Sequence, residues 1–172
     1  AAAAAAAAAP DDAEEGVRLW TGRLAALLKE RDPPLYVHLR QRGVHPELFA
    51  PRWFAVLLAR EFPASGVHRV WDALFADTHR FQLLLYAACA MTMHQRAALL
   101  DAADFNACMA VLQRCFDTDD AAHHVMHKAL ELYASQQSMK AFVQSKIYAY
   151  GPRFKAETRS RLAAAKQKVF RL

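Results

Sequence analysis

Apolar residues recur at helical spacing along most of the 172-residue chain, and no strand-like alternation persists. Leu19/Trp20, Leu24, Leu27 and Leu28 make a helical stripe between Val17 and Arg31, and Pro33-Pro34 stops it. Pro34 suits the first position of a second helix through Leu35, Tyr36 and Leu39, closed by Gly43 as a left-handed cap. Pro46 is expected to open a short turn that sets Leu48 and Phe49 inward. Pro51 should then restart a central helix from Trp53 to Phe62, too apolar for the surface. Ser65 reads as the N-cap of a helix carrying Val67, Val70, Trp71, Leu74 and Phe75. One long buried helix is expected from Phe81 to Leu100. Asp104 caps the next, with Phe105, Met109, Leu112 and Phe116 on one face. Asp117-Thr118-Asp119-Asp120 is an acidic start for a helix holding Val125, Met126, Leu130, Leu132 and Tyr133. Ser138 begins a last one, which Gly151-Pro152 breaks.

The fold class is therefore all-α. Ala1–Ala9 form a homopolymer, read as positions of unassigned identity and set aside from fold reasoning. A compact helical lobe over 10–116 is expected, followed by a helical extension over 117–172 with a basic tail. No apolar run reaches the length of a membrane-spanning helix. Cys89, Cys108 and Cys115 are an odd set without framework spacing, which suggests reduced thiols and a cytoplasmic setting.

Charge changes the picture only at one end. The chain carries +5, but Arg153, Lys155, Arg159, Arg161, Lys166, Lys168 and Arg171 against Glu157 place +6 in the tail. A nucleic-acid reading of the whole domain from its basicity fails, and no specific nucleic acid is expected. The tail is instead a candidate site for a polyanion, such as an acidic protein or an anionic membrane surface.

An ordered series of short motifs carries more information. It runs Pro34-Leu35-Tyr36 with His38-Leu39, Gly43-Val44, Pro46-Glu47-Leu48-Phe49, Arg52-Trp53, Arg60-Glu61-Phe62, Val70-Trp71-Asp72 and Asp104-Phe105. This series, from about Asp32 to Gln113, resembles the C-terminal half of a TBC domain, the helical fold of many Rab GTPase-activating proteins. The resemblance implies a small GTPase of the Rab type as partner. It also implies two catalytic fingers, an arginine in IxxDxxR and a glutamine in YxQ, in the half that precedes these motifs. Such an arginine neutralises charge on the transferring phosphoryl group, and the glutamine orients the attacking water. Neither motif occurs in this sequence; Tyr133-Ala134-Ser135-Gln136 has one residue too many. Leu74-Phe75-Ala76-Asp77-Thr78-His79-Arg80 fits only a relaxed LxxDxxR. It follows Trp71-Asp72, where the family has a loop, so it is read as coincidence with Arg80 on the surface.

Trp53, Trp71 and Asp72 are accordingly structural anchors, the tryptophans in the core and Asp72 capping an amide or pairing with a base such as Arg52. His38 is read as a hydrogen-bonded structural residue. His123, His124 and His127 form HHxxH, with 123 and 127 on one face; lacking the HExxH glutamate, they read as a solvated face and not a zinc site. Cys108 and Cys115, seven apart, are placed on one helix face. No catalytic residue, metal ligand or cofactor is assigned. The expected function is regulation or binding of a Rab-type GTPase in membrane traffic by a chain itself lacking the fingers. The alternative is a TBC-derived scaffold that binds neighbouring subunits of a large cytoskeletal or ciliary assembly. Localisation is expected to be cytoplasmic, either membrane-peripheral or cytoskeletal/ciliary.

Overall fold

The computed structural model describes residues 10–77, 79, 82–139 and 141, and among them every regular element is a helix. The chain packs as two units, 1–132 and 133–172. In the first, α1 (Pro10–Arg31) lies against α3 (Pro46–Ala55), α2 (Pro33–Gln41) and α5 (Gln82–His94). Then α4 (Ala64–Ala76) also meets α5, while α6 (Arg96–Asp101) bridges α2, α5 and α7 (Phe105–Leu112). An eighth helix, α8, starts at 119 and continues through 132. Of the second unit, residues 133–139 and 141 are described, and they are helical. Ser138 therefore lies inside a helix and starts none.

The first unit's core is built from the positions that the helical spacing marks. Leu24, Leu28, Leu35, Trp53, Leu74, Met91, Leu99 and Leu112 are fully buried, and α5 adds Ala87, Ala88, Cys89 and Ala90. Burying a side chain of this size contributes roughly 1.5–3 kcal/mol. At the start of α2, Asp32 is the N-cap and its Oδ1 accepts from the Leu35 amide at 3.2 Å. Its Oδ2 accepts from Arg96 Nε at 2.7 Å, which ties the α1–α2 junction to α6. The helix ends as expected at Gly43, with φ of +72°. The Val44 amide reaches the Leu39 carbonyl at 2.9 Å and the Gly43 amide reaches that of Arg40 at 3.1 Å, a Schellman closure.

Several expected boundaries move. Pro51 lies inside α3 instead of restarting the chain; the helix begins at Pro46 and forgoes the bond that Pro51 cannot donate. Leu48 consequently faces outward at 50% exposure, while Phe49 is buried. The helix expected to reach Phe62 stops at Ala55. Pro63, not Ser65, precedes α4, and the Ser65 hydroxyl donates to Asp119 Oδ1 at 2.6 Å. Phe75 is exposed, as is Leu130. The long helix from Phe81 breaks at Gln95 into α5 and α6; Arg96, just after the break, is the partner of Asp32. Asp104 caps α7 as expected, accepting from the Ala107 amide at 2.8 Å. That helix ends at Leu112, so neither Cys115 nor Phe116 continues its face.

Helix α8 buries Ala121, Ala122, Val125, Met126, Ala129 and Leu132. Its approach to α4 is close at Gly66. A Cβ there would stand 3.0 Å from that of Ala122 and 3.2 Å from that of Phe62.

Candidate functional site

Between α3 and α4 the backbone makes an unusual bend. Val56 caps α3, and the next two residues, Leu57 and Leu58, have φ of +48° and +63°. Left-handed backbone costs an L-residue roughly 1–2 kcal/mol, so two consecutive leucines there need compensation. The compensation is visible. Leu58 is fully buried, and its amide donates to the Trp53 carbonyl at 3.0 Å. Trp71 Nε1 donates to the Leu57 carbonyl at 2.9 Å. Glu61, fully buried, faces Arg52, whose Nη2 donates to Oε2 at 3.0 Å. A second contact, Nε to Oε1 at 3.0 Å, is an ion-pair contact without hydrogen-bond geometry. A carboxylate leaves water only when so paired.

The segment after α7 locks onto this bend. The Phe116 amide donates to the Glu61 carbonyl at 2.8 Å, and the Cys115 thiol donates to the Arg60 carbonyl at 3.0 Å. The Phe62 and Phe116 rings stack at 5.1 Å between centroids. Phe116 thus packs by tertiary contact and not by helical register. These interactions tie loops 56–62 and 113–117 together.

The anchors proposed from sequence take distinct places. Trp53 is fully buried with Phe49 edge-on at 5.0 Å, and its indole N–H has no partner among the described residues. Trp71 is half-buried, and its tie is the polar one to Leu57. Asp72 is exposed, and Arg52 pairs with Glu61 instead. His38 is half-buried with Nε2 lacking a hydrogen bond among the described residues, against the expectation of a bonded ring.

Asp77 of the relaxed LxxDxxR accepts from the His79 amide at 2.9 Å and the Leu83 amide at 2.9 Å, so it fastens the turn into α5. Arg80 lies outside the described residues, as do Arg153, Lys155, Arg159, Arg161, Lys166, Lys168 and Arg171. His123, His124 and His127 are exposed on α8, and His127 Nδ1 lies 3.4 Å from Glu131 Oε1. Among the described residues no three His, Cys, Asp or Glu side chains converge to hold a metal ion. Burial pushes the Cys89 thiol up to about 12, which keeps it protonated and inert at neutral pH.

Sequence reasoning singled out Arg60-Glu61-Phe62 as a motif but missed the Glu61–Arg52 pair. It also missed the bend, because leucine carries no signal for positive φ. Asp32 had a usable signal: an aspartate immediately before Pro33 at a helix start.

This arrangement of buried helices around a tied bend defines, among the described residues, an all-helical domain. The family model of the Rab-GTPase-TBC domain matches residues 12–100, and the chain belongs to that family. It is 39% identical over 126 residues to human TBC1 domain family member 13, covering 73% of this chain and 31% of that protein. It is 37% identical over 106 residues to mouse TBC1 domain family member 5, covering 62% of this chain and 13% of that protein. The crystal structure of the Ypt/Rab-GAP domain of Gyp1p superposes with a TM-score of 0.65 at 25% identity, over 70% of this chain and 38% of that one. The chain thus spans about a third or less of the length of these curated relatives.

Proposed function

We propose that this chain is the supporting, C-terminal part of a TBC domain that binds and regulates a Rab-type small GTPase in membrane traffic. The observation that carries the reading is the family match over residues 12–100. The name of the solved Ypt/Rab-GAP domain supports the choice of partner. These 172 residues hold neither IxxDxxR nor YxQ, so any finger residues come from outside them. The role of the chain is then to hold the partner, not to supply the groups that stabilise the transition state. Among the described residues no helix is long and apolar enough to cross a membrane. Peripheral attachment through the basic tail fits the traffic role, and deletion of 151–172 should abolish salt-sensitive binding to anionic vesicles.

The direct test uses the 172-residue chain and a panel of Rab-type GTPases. Binding to at least one GTPγS-loaded member, with its GTP hydrolysis rate unchanged, is the expected result. Acceleration by this chain alone would overturn the assignment of the fingers elsewhere. Capture of no panel member would overturn the GTPase reading and leave the scaffold role.

A further inference from the structure

We propose that the cavity between the end of α5 and the exposed side of α8 binds a phosphomonoester, held by His94, His124 and Lys128. Its existence does not depend on the chain's pairing with a GTPase.

The cavity has a volume of about 270 Å³ and is lined by Ala90, Met93 and His94 from α5 and by His124, Val125 and Lys128 from α8. Positions 124 and 128, one turn apart, share a face of α8 and so reach the same space. The His94 ring is placed by Phe116, whose ring meets it edge-on at 5.5 Å. Across from it stands the His124 ring, at 6.5 Å between centroids with the planes 22° apart. Two imidazoles from different helices thus line one space with a lysine. Outside it, His123 continues the row at 6.0 Å from His124, and His127 follows at 6.5 Å from His123.

Every described lining side chain that can carry charge is a base. The acids nearby in the chain are Asp117 beside Phe116, Asp120 one turn before His124, and Glu131; none of them is a lining residue. Lys128 Nζ reaches Glu131 at 3.0 Å, but both ends are about half exposed, and so open a pair yields to a better partner. The apolar wall of Ala90, Met93 and Val125 strengthens charge interactions in the cavity and gives the carbon of an ester a surface to lie on. Donors from two helices suit an anion with acceptors in several directions. A phosphomonoester presents three terminal oxygens set tetrahedrally, while a carboxylate presents two in one plane. Histidine takes up a proton on mild acidification, which adds imidazolium charge to that of Lys128.

The test follows the histidine ring signals of the 172-residue chain by NMR while inorganic phosphate is added at about pH 6 and constant ionic strength. The signals of His94 and His124 should move together along one saturable curve. That of His68, exposed on α4 and not a lining residue, should stay. Lys128→Gln, read by the same two signals, should weaken binding on the order of fivefold. Sulfate keeps the same charge across this range, and it should bind on the order of tenfold more weakly at about pH 8 than at about pH 6. Shifts that do not saturate, or an equal shift at His68, would overturn the site. So would acetate matching phosphate at equal concentration, or Lys128→Gln binding as the parent does. Two further probes separate the sources: glycerol 3-phosphate in solution, and phosphatidylcholine vesicles containing phosphatidic acid. A loss on Lys128→Gln with the first alone assigns a soluble phosphomonoester, and a loss with both assigns a headgroup that enters from a membrane. A loss with neither would overturn the site.

Discussion

Helix α5 and the bend from Val56 to Phe62 both belong to the first unit, yet different physics specifies them. Nine of the thirteen residues of α5 are buried, and what holds it is apolar area with helical backbone throughout. The bend has two left-handed leucines, a buried carboxylate and an indole hydrogen bond. In α5 the backbone keeps helical geometry throughout, which leucine, methionine and alanine favour. In the bend, tertiary contacts overrule local preference, and charge is buried to do so. A chain that gives up such agreement at one place commonly does so where it meets another molecule.

Substitutions at four positions would break or sharpen that contrast. The largest effect belongs to the apolar side. Trp53→Ala should lower the unfolding free energy by about 3–5 kcal/mol in urea denaturation, as for other buried large aromatics. A loss under about 1 kcal/mol would show that Trp53 is not the centre of the core. Next comes Glu61→Gln, which keeps shape and removes charge. It should cost about 2–3 kcal/mol, below the roughly 3–5 kcal/mol of a fully enclosed pair, since Arg52 remains partly in water. Equal stability of the two proteins would mean that the bend does not depend on the ion pair.

The smallest effect is the most discriminating. Both Leu57→Gly and Leu57→Ala delete the side chain, but only glycine accepts positive φ without strain. The glycine variant should be the more stable of the two by about 1 kcal/mol. At Ala87 in α5 the order reverses, and Ala87→Gly should cost about 1 kcal/mol on helix propensity alone. Alanine matching or exceeding glycine at position 57 would refute the left-handed bend.

Much of the fold was legible because its signals are local. Gly43 announced its left-handed cap, Asp104 announced the start of α7, and the stripe of Leu24, Leu27 and Leu28 marked the buried face of α1. Failures gathered where a distant residue decides. Pro51 has the local signature of a breaker, but helix α3 absorbs it at the loss of one bond. Helical spacing puts Phe116 on the face of α7, yet its ring goes to Phe62 and its amide to Glu61. Ser65 looked like a cap and instead serves Asp119, fifty-four positions away. For the candidate site the balance is poorer. The motif Arg60-Glu61-Phe62 was noticed, but its geometry depends on Arg52, Trp71 and Cys115 together, a convergence that no periodicity encodes.

The close approach of α4 and α8 reaches beyond stability. With a Cβ at position 66 standing 3.0 Å from that of Ala122, a methyl on both positions fits only if the helices give by a few tenths of an ångström. Their identities are therefore not independent. Removing the Ala122 methyl would relieve one of the two tight contacts of an alanine at 66, and the one to Phe62 would stay. Among descendants of this chain the two sites should change as a pair, with the intermediate carrying two methyls as the disfavoured step.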